Sequence, residues 1–210
     1  MKGGWVERLD VPVGEVGTID LGALAAPAPP GLGQRVDGAV HLVCTHGRHD
    51  RCCADQGRPV ARALAAARIE SVWESSHVGG DRFAANLVSL PSGVYLGRVP
   101  AERAEEVVSD LEAGLIDLDL YRGRCCFVPL VQAAELAVRR RLDERRLDAI
   151  VLEDAQFERD GDQVRTSFRH PHGVTEAVIR RRRGPVERLT CAPSEGRPWS
   201  YDLIELHTHG

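Results

Sequence analysis

The chain has 210 residues, of which 43% are hydrophobic and 28% are charged, and its formal net charge is −4. This length and composition fit one large globular domain or two small ones, and they exclude a disordered or collagen-like chain. The sequence has no apolar run of about 20 residues, so we expect no membrane contact. The acidic balance gives no overall field that would attract nucleic acid.

Residues 1–35 are predicted to be a peripheral lead-in that ends in a proline-rich linker. A first domain is predicted over residues 36–115, with elements in the order β-α-β-β-β-α, which is thioredoxin-like in topology. The elements are a buried strand at 39–44, a helix that begins at Pro59 and ends near Arg68, a strand at 69–75, two hairpin strands at 86–90 and 94–99, and a helix at 100–113.

Residues 116–210 are predicted to form a smaller α+β segment, so the fold class of the chain is α/β. An amphipathic stripe predicts a helix at 130–142, and five strand-like runs follow it at 149–152, 163–168, 174–179, 186–191 and 201–206. The four arginines at 180–183 are interpreted as a solvated turn. His207 and His209 are interpreted as part of a frayed end.

Six cysteines are present, at positions 44, 52, 53, 125, 126 and 191. The N-terminal residues lack the basic and then apolar layout of a secretory signal, so we expect a cytoplasmic protein with reduced thiols. In that compartment, clustered cysteines indicate a metal or redox site more often than a structural disulfide. Cys52 is predicted to pack near such a site, and Cys191 is predicted to be buried.

The most informative stretch is CTHGRHDRCC, residues 44–53. Cys44 ends a predicted buried strand, and sites in α/β sheets form at the carboxyl ends of strands. The run HVGGD, residues 77–81, follows the next predicted strand, so the two loops are expected to meet. Thiolate and imidazole together suit zinc or an iron–sulfur cluster, although the same residue types also allow nucleophilic Cys/His chemistry.

These residues, together with the run WESSHVGGDRFAAN at 73–86, resemble the sucrase/ferredoxin-like family. The resemblance is dense over residues 40–99 and looser over YRGR at 121–124 and QAAE at 132–135. It implies a thioredoxin-like ferredoxin domain in which two cysteines of the first loop and a Cys-x3-Cys or His-x3-His pair of the second loop hold a 2Fe-2S cluster. Cys44, Cys53 and His77 take the first three ligand positions. The fourth position falls on Asp81, where the family patterns have cysteine or histidine.

The resemblance therefore implies a one-electron carrier or sensor rather than an enzyme, with a 2Fe-2S cluster on Cys44, Cys53, His77 and Asp81. It also implies redox partner proteins, with a flavin reductase as electron donor, and it allows a homodimer. Two alternatives stay open. One is a structural or interaction module that binds zinc through the same residues. The other is a cluster-free thiol protein with a low thiol pKa at Cys44 or Cys53. If Asp81 is not a ligand, the next candidates are His46, His49 and Cys52.

Overall fold

The computed structural model describes residues 4–26, 28–48, 51–191 and 195–210. The lead-in begins with strand β1 (Glu7–Arg8), which pairs with β2 (Gln34–Arg35) in an antiparallel ladder. Two 3-10 helices, Val13–Thr18 and Leu21–Ala25, lie between them. The carboxylate of Glu7 accepts hydrogen bonds from the backbone N–H groups of residues 31–33 at 2.9–3.3 Å. These bonds join the beginning of the lead-in to its end.

The first large sheet has five strands in the order β4-β3-β5-β6-β7. Strands β3 and β4 are parallel, and the other neighbours are antiparallel. Helix α1 (Arg51–Ala66) connects β3 to β4, and α2 (Ala104–Glu112) follows β6. The strands are β3 (Val40–Cys44), β4 (Val72–Ser75), β5 (Leu87–Leu90), β6 (Val94–Leu96) and β7 (Tyr121–Arg124). The predicted β-α-β-β-β-α order is confirmed over residues 40–112.

One hydrophobic core joins this sheet to the two helices. Helix α1 contributes Val60 and Leu64, and α2 contributes Val107 and Val108. All four side chains are buried, and they pack with strand residues such as Leu87. Removal of this apolar surface from water is the main stabilising contribution to such a layer.

Helix α1 begins at Arg51, eight residues before Pro59, so the predicted start at Pro59 was wrong. Pro59 lies inside the helix, where it has no N–H to donate to the carbonyl of residue 55. Gly57 also belongs to this first half of the helix. A Cβ atom on Gly57 would lie 2.0 Å from the carbonyl oxygen of Cys44, so glycine lets the helix pack against the end of β3. This half of α1 contains polar residues, a glycine and a proline, so helix propensity did not predict it.

The first sheet continues past the predicted domain boundary at residue 115, because β7 pairs with β6. Helix α3 (Pro129–Leu142) follows and packs on both β7 and a second sheet. This second sheet is antiparallel, with the order β13-β10-β9-β8. Its strands are β8 (Val151–Phe157), β9 (Gln163–His170), β10 (Gly173–Arg183) and β13 (Trp199–His209), and a separate short ladder joins β11 (Glu187–Arg188) to β12 (Glu195–Gly196).

Four expectations for this segment were wrong. The four arginines at 180–183 lie within β10 rather than in a turn, because they continue its ladder with β13; acids also pair with Arg181 and Arg182, as Asp162 does with Arg181 at 2.7 Å. The two C-terminal histidines lie in β13, which is paired with β10 to residue 209. The run 186–191 forms only the two-residue strand β11, and Cys191 is exposed rather than buried. None of the helices in the described ranges is long and apolar enough to cross a membrane.

Candidate metal centre

Two buried cysteines and one histidine meet at the carboxyl end of the parallel strands. Cys44 is the last residue of β3, and Cys53 is the third residue of α1; neither is exposed to solvent. His77 follows β4, which lies beside β3 in parallel register. The ligand atoms of these three residues all lie within 4.8 Å of one another. The structure therefore brings together three of the four predicted ligands in one compact group.

The distance between Cys53 Sγ and His77 Nδ1 is 3.7 Å. Two such donors on one tetrahedral metal ion are separated by about 3.5 Å, given bonds of about 2.3 Å to sulfur and about 2.0 Å to nitrogen. The thiol and the imidazole are thus already spaced as two ligands of a single metal atom.

Asp81, the fourth predicted ligand, contacts two members of this group. Its Oδ1 lies 3.2 Å from His77 Nε2 and 3.7 Å from Cys53 Sγ. The imidazole thus presents Nδ1 to the thiol and Nε2 to the carboxylate. The side chain of His77 is 23% exposed and that of Asp81 is 10% exposed, so the histidine marks the edge of the site nearest to solvent.

The electrostatics of Cys53 depend on burial and on the start of helix α1. Burial is the largest cause that raises the pKa of the Cys53 thiol to about 12, and Cys44 and Asp81 act in the same direction. Without a bound metal ion, the thiol therefore holds its proton at neutral pH, and metal binding has to displace it. The positive end of the helix favours the thiolate that a metal would then stabilise.

The loop that carries His77 is held by two side chains that the sequence argument did not single out. Asn86 is buried, and its Nδ2 donates hydrogen bonds to the carbonyls of Gly80 at 2.9 Å and Gly79 at 3.4 Å. The Tyr95 hydroxyl donates to the carbonyl of Val78. Asn86 is the last residue of the family-like run 73–86, so the sequence could have indicated that it belongs to the site. Tyr95 lies outside that run.

A family model for sucrase/ferredoxin-like proteins matches residues 17–123, just over half of the chain. The chain belongs to the sucrase/ferredoxin-like family. The expected family is thereby confirmed, and the match covers all four predicted ligand positions. No curated protein matches the chain.

Among solved structures, the chain is similar to the thioredoxin-like [2Fe-2S] ferredoxin from Aquifex aeolicus. One structure of that ferredoxin has 19% identity, covers 45% of this chain and 97% of its own, and gives a TM-score of 0.38. A cysteine-to-serine variant has 20% identity, covers 41% and 99%, and gives a TM-score of 0.37. A second such variant has 19% identity, covers 41% and 99%, and gives a TM-score of 0.36.

In this sucrase/ferredoxin-like chain, the alternative candidates for the fourth ligand were His46, His49 and Cys52. Cys52 forms a disulfide with Cys191, with Cα atoms 5.6 Å apart, so its sulfur is already bonded and the expectation of a reduced Cys52 was wrong. His46 lies in the loop after β3, outside the compact metal-capable group of the described residues. His49 falls outside the described residues. Cys125 and Cys126 are exposed thiols before α3.

The two looser family-like runs, YRGR and QAAE, form one buried network. Glu135 Oε1 accepts hydrogen bonds from Arg124 at 2.8 Å and from Arg139 at 2.9 Å, and Oε2 accepts one from the Tyr121 hydroxyl at 2.8 Å. Gln132 Nε2 donates to the carbonyl of Arg124 at 2.8 Å. These residues join β7 to α3 and contribute to packing between the first sheet and the C-terminal segment.

Proposed function

We propose that this member of the sucrase/ferredoxin-like family is a one-electron transfer protein whose 2Fe-2S cluster is held by Cys44, Cys53, His77 and Asp81. The observation that supports it most is that two buried cysteines and a histidine, all within the residues matched by the family model, meet at the carboxyl end of β3 and β4. Thiolate and imidazole are established donors to iron in such clusters. When bound, a 2Fe-2S cluster accepts and releases a single electron.

Each residue has a distinct part in this proposal. The thiolates of Cys44 and Cys53 bind on the buried side, where the start of α1 offsets part of their charge. The neutral imidazole of His77 makes the site less negative than a four-cysteine site, which raises its reduction potential. Because His77 is the most exposed of the four, electrons would be exchanged with a partner on its side of the site.

Asp81 sets this chain apart from the Cys-x3-Cys and His-x3-His patterns. A carboxylate is a harder donor than thiolate or imidazole, so it binds the iron of an iron–sulfur cluster more weakly. We therefore propose a cluster that is lost more readily than one with four sulfur or nitrogen ligands. The contact with His77 Nε2 lets the same carboxylate orient the imidazole.

The partners proposed are a flavin reductase as electron donor and a second redox protein as acceptor, acting in the cytoplasm. A homodimer is part of this proposal. The role is that of a carrier or a sensor rather than of an enzyme.

A mononuclear zinc site in a structural module is the second candidate, and one observation favours it. A binuclear cluster divides its ligands between two irons, whereas a single ion draws all of its ligands to one point. Three donors that all lie within 4.8 Å of one another, with one pair at 3.7 Å, are spaced as ligands of a single ion. The cluster-free thiol protein is disfavoured, because the pKa of Cys53 is raised rather than lowered.

The ligand set is tested with four variants after anaerobic purification and reconstitution. Cys44→Ser and His77→Ala should each lose most of their iron and acid-labile sulfide, because each removes a donor. Asp81→Ala should retain less cluster than the wild type, and Asp81→His, which restores His-x3-His, should retain more. Cys125→Ser is the matched control, because it removes an exposed cysteine outside the site.

Full iron and sulfide content in Cys44→Ser would contradict the ligand set. Wild-type cluster content and spectrum in Asp81→Ala would remove Asp81 from the ligands. Loss of stoichiometric zinc, rather than of iron and sulfide, in Cys44→Ser and His77→Ala would establish the zinc site instead.

A further inference from the structure

A second group of charged side chains lies beside the metal centre and has no part in it. The guanidinium groups of Arg82, Arg98 and Arg122 all surround the ring of Phe83. Their central carbon atoms lie 4.5, 5.4 and 3.0 Å from the ring centroid, respectively. We call these four residues the arginine cluster.

The positive charge of the arginine cluster is poorly neutralised. Arg82 pairs with Glu187 at 3.5 Å, but in the described part of the chain no acidic group forms an ion pair with Arg98 or Arg122. Arg122 is half-buried, and burial, followed by the nearby charges of Arg82 and Arg98, lowers its pKa to about 10. Among the described residues these three cations have one acidic ion-pair partner, so binding an anion stabilises the group.

The arginine cluster lines a cavity of about 530 Å³ between the first sheet, α3 and the C-terminal segment. Aromatic side chains form part of its remaining wall, namely Tyr121 of β7 and Trp199 and Tyr201 of β13, and Asp119 is the acidic residue that lines it. The volume is within the range of small-molecule sites, which are about 300–1,000 Å³. The cavity therefore combines guanidinium donors with flat apolar surfaces.

Gly97 has no side chain, which leaves space for Arg122 and Phe83. A Cβ atom on Gly97 would lie 2.9 Å from Arg122 Cδ and 3.0 Å from the Cβ and carbonyl oxygen of Phe83. A larger residue would push Arg122 or Phe83 out of place, so the backbone at this point is fitted to the arginine cluster.

We propose that this cavity binds a small aromatic anion, a planar ring that carries a phosphate or carboxylate group. The guanidinium groups of Arg98 and Arg122 bind the anionic group, because their planar arrays of N–H donors match phosphate and carboxylate oxygens. The ring packs against the aromatic wall, which supplies apolar contact area. An anion at this place also offsets the repulsion among the three arginines.

The site lies next to the metal centre but does not depend on it. Arg82 directly follows Asp81, and the charges of both Arg122 and Cys44 influence the pKa of Tyr95, whose hydroxyl holds the loop at Val78. Anion binding uses only protein side chains, however. A binding measurement therefore tests the anion site whether the metal centre holds iron, zinc or neither.

Calorimetric titration with phenyl phosphate tests the proposal, with inorganic phosphate and benzoate as separate titrants. We expect one phenyl phosphate per chain, bound at least about tenfold more tightly than inorganic phosphate, both in the protein as purified and after chelation of metals. Benzoate shows whether a carboxylate suffices as the anionic group. Arg98→Gln and Arg122→Gln should each weaken phenyl phosphate binding by about tenfold, or about 1.4 kcal/mol.

Arg62→Gln is the matched control, because Arg62 is an exposed arginine of α1 away from the cavity. It should bind phenyl phosphate as the wild type does. Arg98 is exposed, so Arg98→Gln tests the proposal even if Arg122→Gln does not fold. The proposal is overturned if no titrant binds saturably, if Arg98→Gln binds as tightly as Arg62→Gln, or if inorganic phosphate binds as tightly as phenyl phosphate.

Discussion

The carboxylate of Glu135 is fully buried between the guanidinium groups of Arg124 and Arg139. The remaining donors of the two arginines reach backbone carbonyls at residues 144–150, so the group ties α3 to the segment that leads into β8. One buried anion thus offsets two buried cations. Charges in such a group are tolerated only while every partner is present.

Replacement of Glu135 by glutamine should therefore lower the free energy of unfolding by about 3–5 kcal/mol, because both arginines would lose the buried carboxylate that they share. Urea unfolding of the two proteins measures the difference. Glu105→Gln, at an exposed position of α2, is the control and should change stability little. A loss in Glu135→Gln no larger than that of the control would contradict this role.

At the residue scale, the sequence was informative where the chemistry is local. Cys44, Cys53 and His77 could be predicted as one group, because two short runs follow neighbouring strands. Tyr95 and Arg122 could not, since their roles depend on contacts between distant elements that no spacing reports. The QAAE run was visible, but the pairing of Glu135 with Arg124 of β7 joins two elements, so no spacing along the chain indicates it.

At the scale of elements, the prediction was accurate for strands with clear apolar runs and poor where packing overrides propensity. The first half of α1 is polar and contains Gly57 and Pro59, yet it is helical because it packs against the end of β3. Strand β10 carries four successive arginines for a similar reason: they continue its ladder with β13, and acids on adjacent segments pair with some of them. Composition alone favours a turn in such a stretch.

The disulfide between Cys52 and Cys191 links the first turn of α1 to the segment after β11 across 139 residues. Closing a loop of this length limits the unfolded chain, which stabilises the fold by up to about 5 kcal/mol. Reduction should therefore lower the urea midpoint of the wild type. Cys191→Ser should start at the lower midpoint and not respond to reductant.

Cys125→Ser serves as the control for the disulfide, because Cys125 is a free, exposed thiol. It should respond to reductant as the wild type does. A wild-type midpoint that is the same with and without reductant would contradict a stabilising role for the disulfide.

At the scale of the whole molecule, helix α3 packs on both sheets, and the metal centre and the arginine cluster both take residues from the segment between β4 and β5. Residues 77–83 pass from His77 through Asp81 to Phe83, so one short segment serves both. The α/β class and the additional C-terminal β-rich segment could be predicted from the order of elements. The way in which β7 and α3 join the sheets could not, because it depends on the buried Glu135 group.

The metal and sulfide content of the purified protein shows whether the site holds a 2Fe-2S cluster. Iron, acid-labile sulfide and zinc are determined on the anaerobically purified wild-type protein, together with its visible absorption spectrum. We expect about two irons and two sulfides per chain and a brown protein whose absorption bleaches on reduction. Stoichiometric zinc in a colourless protein, or no iron and sulfide after anaerobic reconstitution, would contradict it.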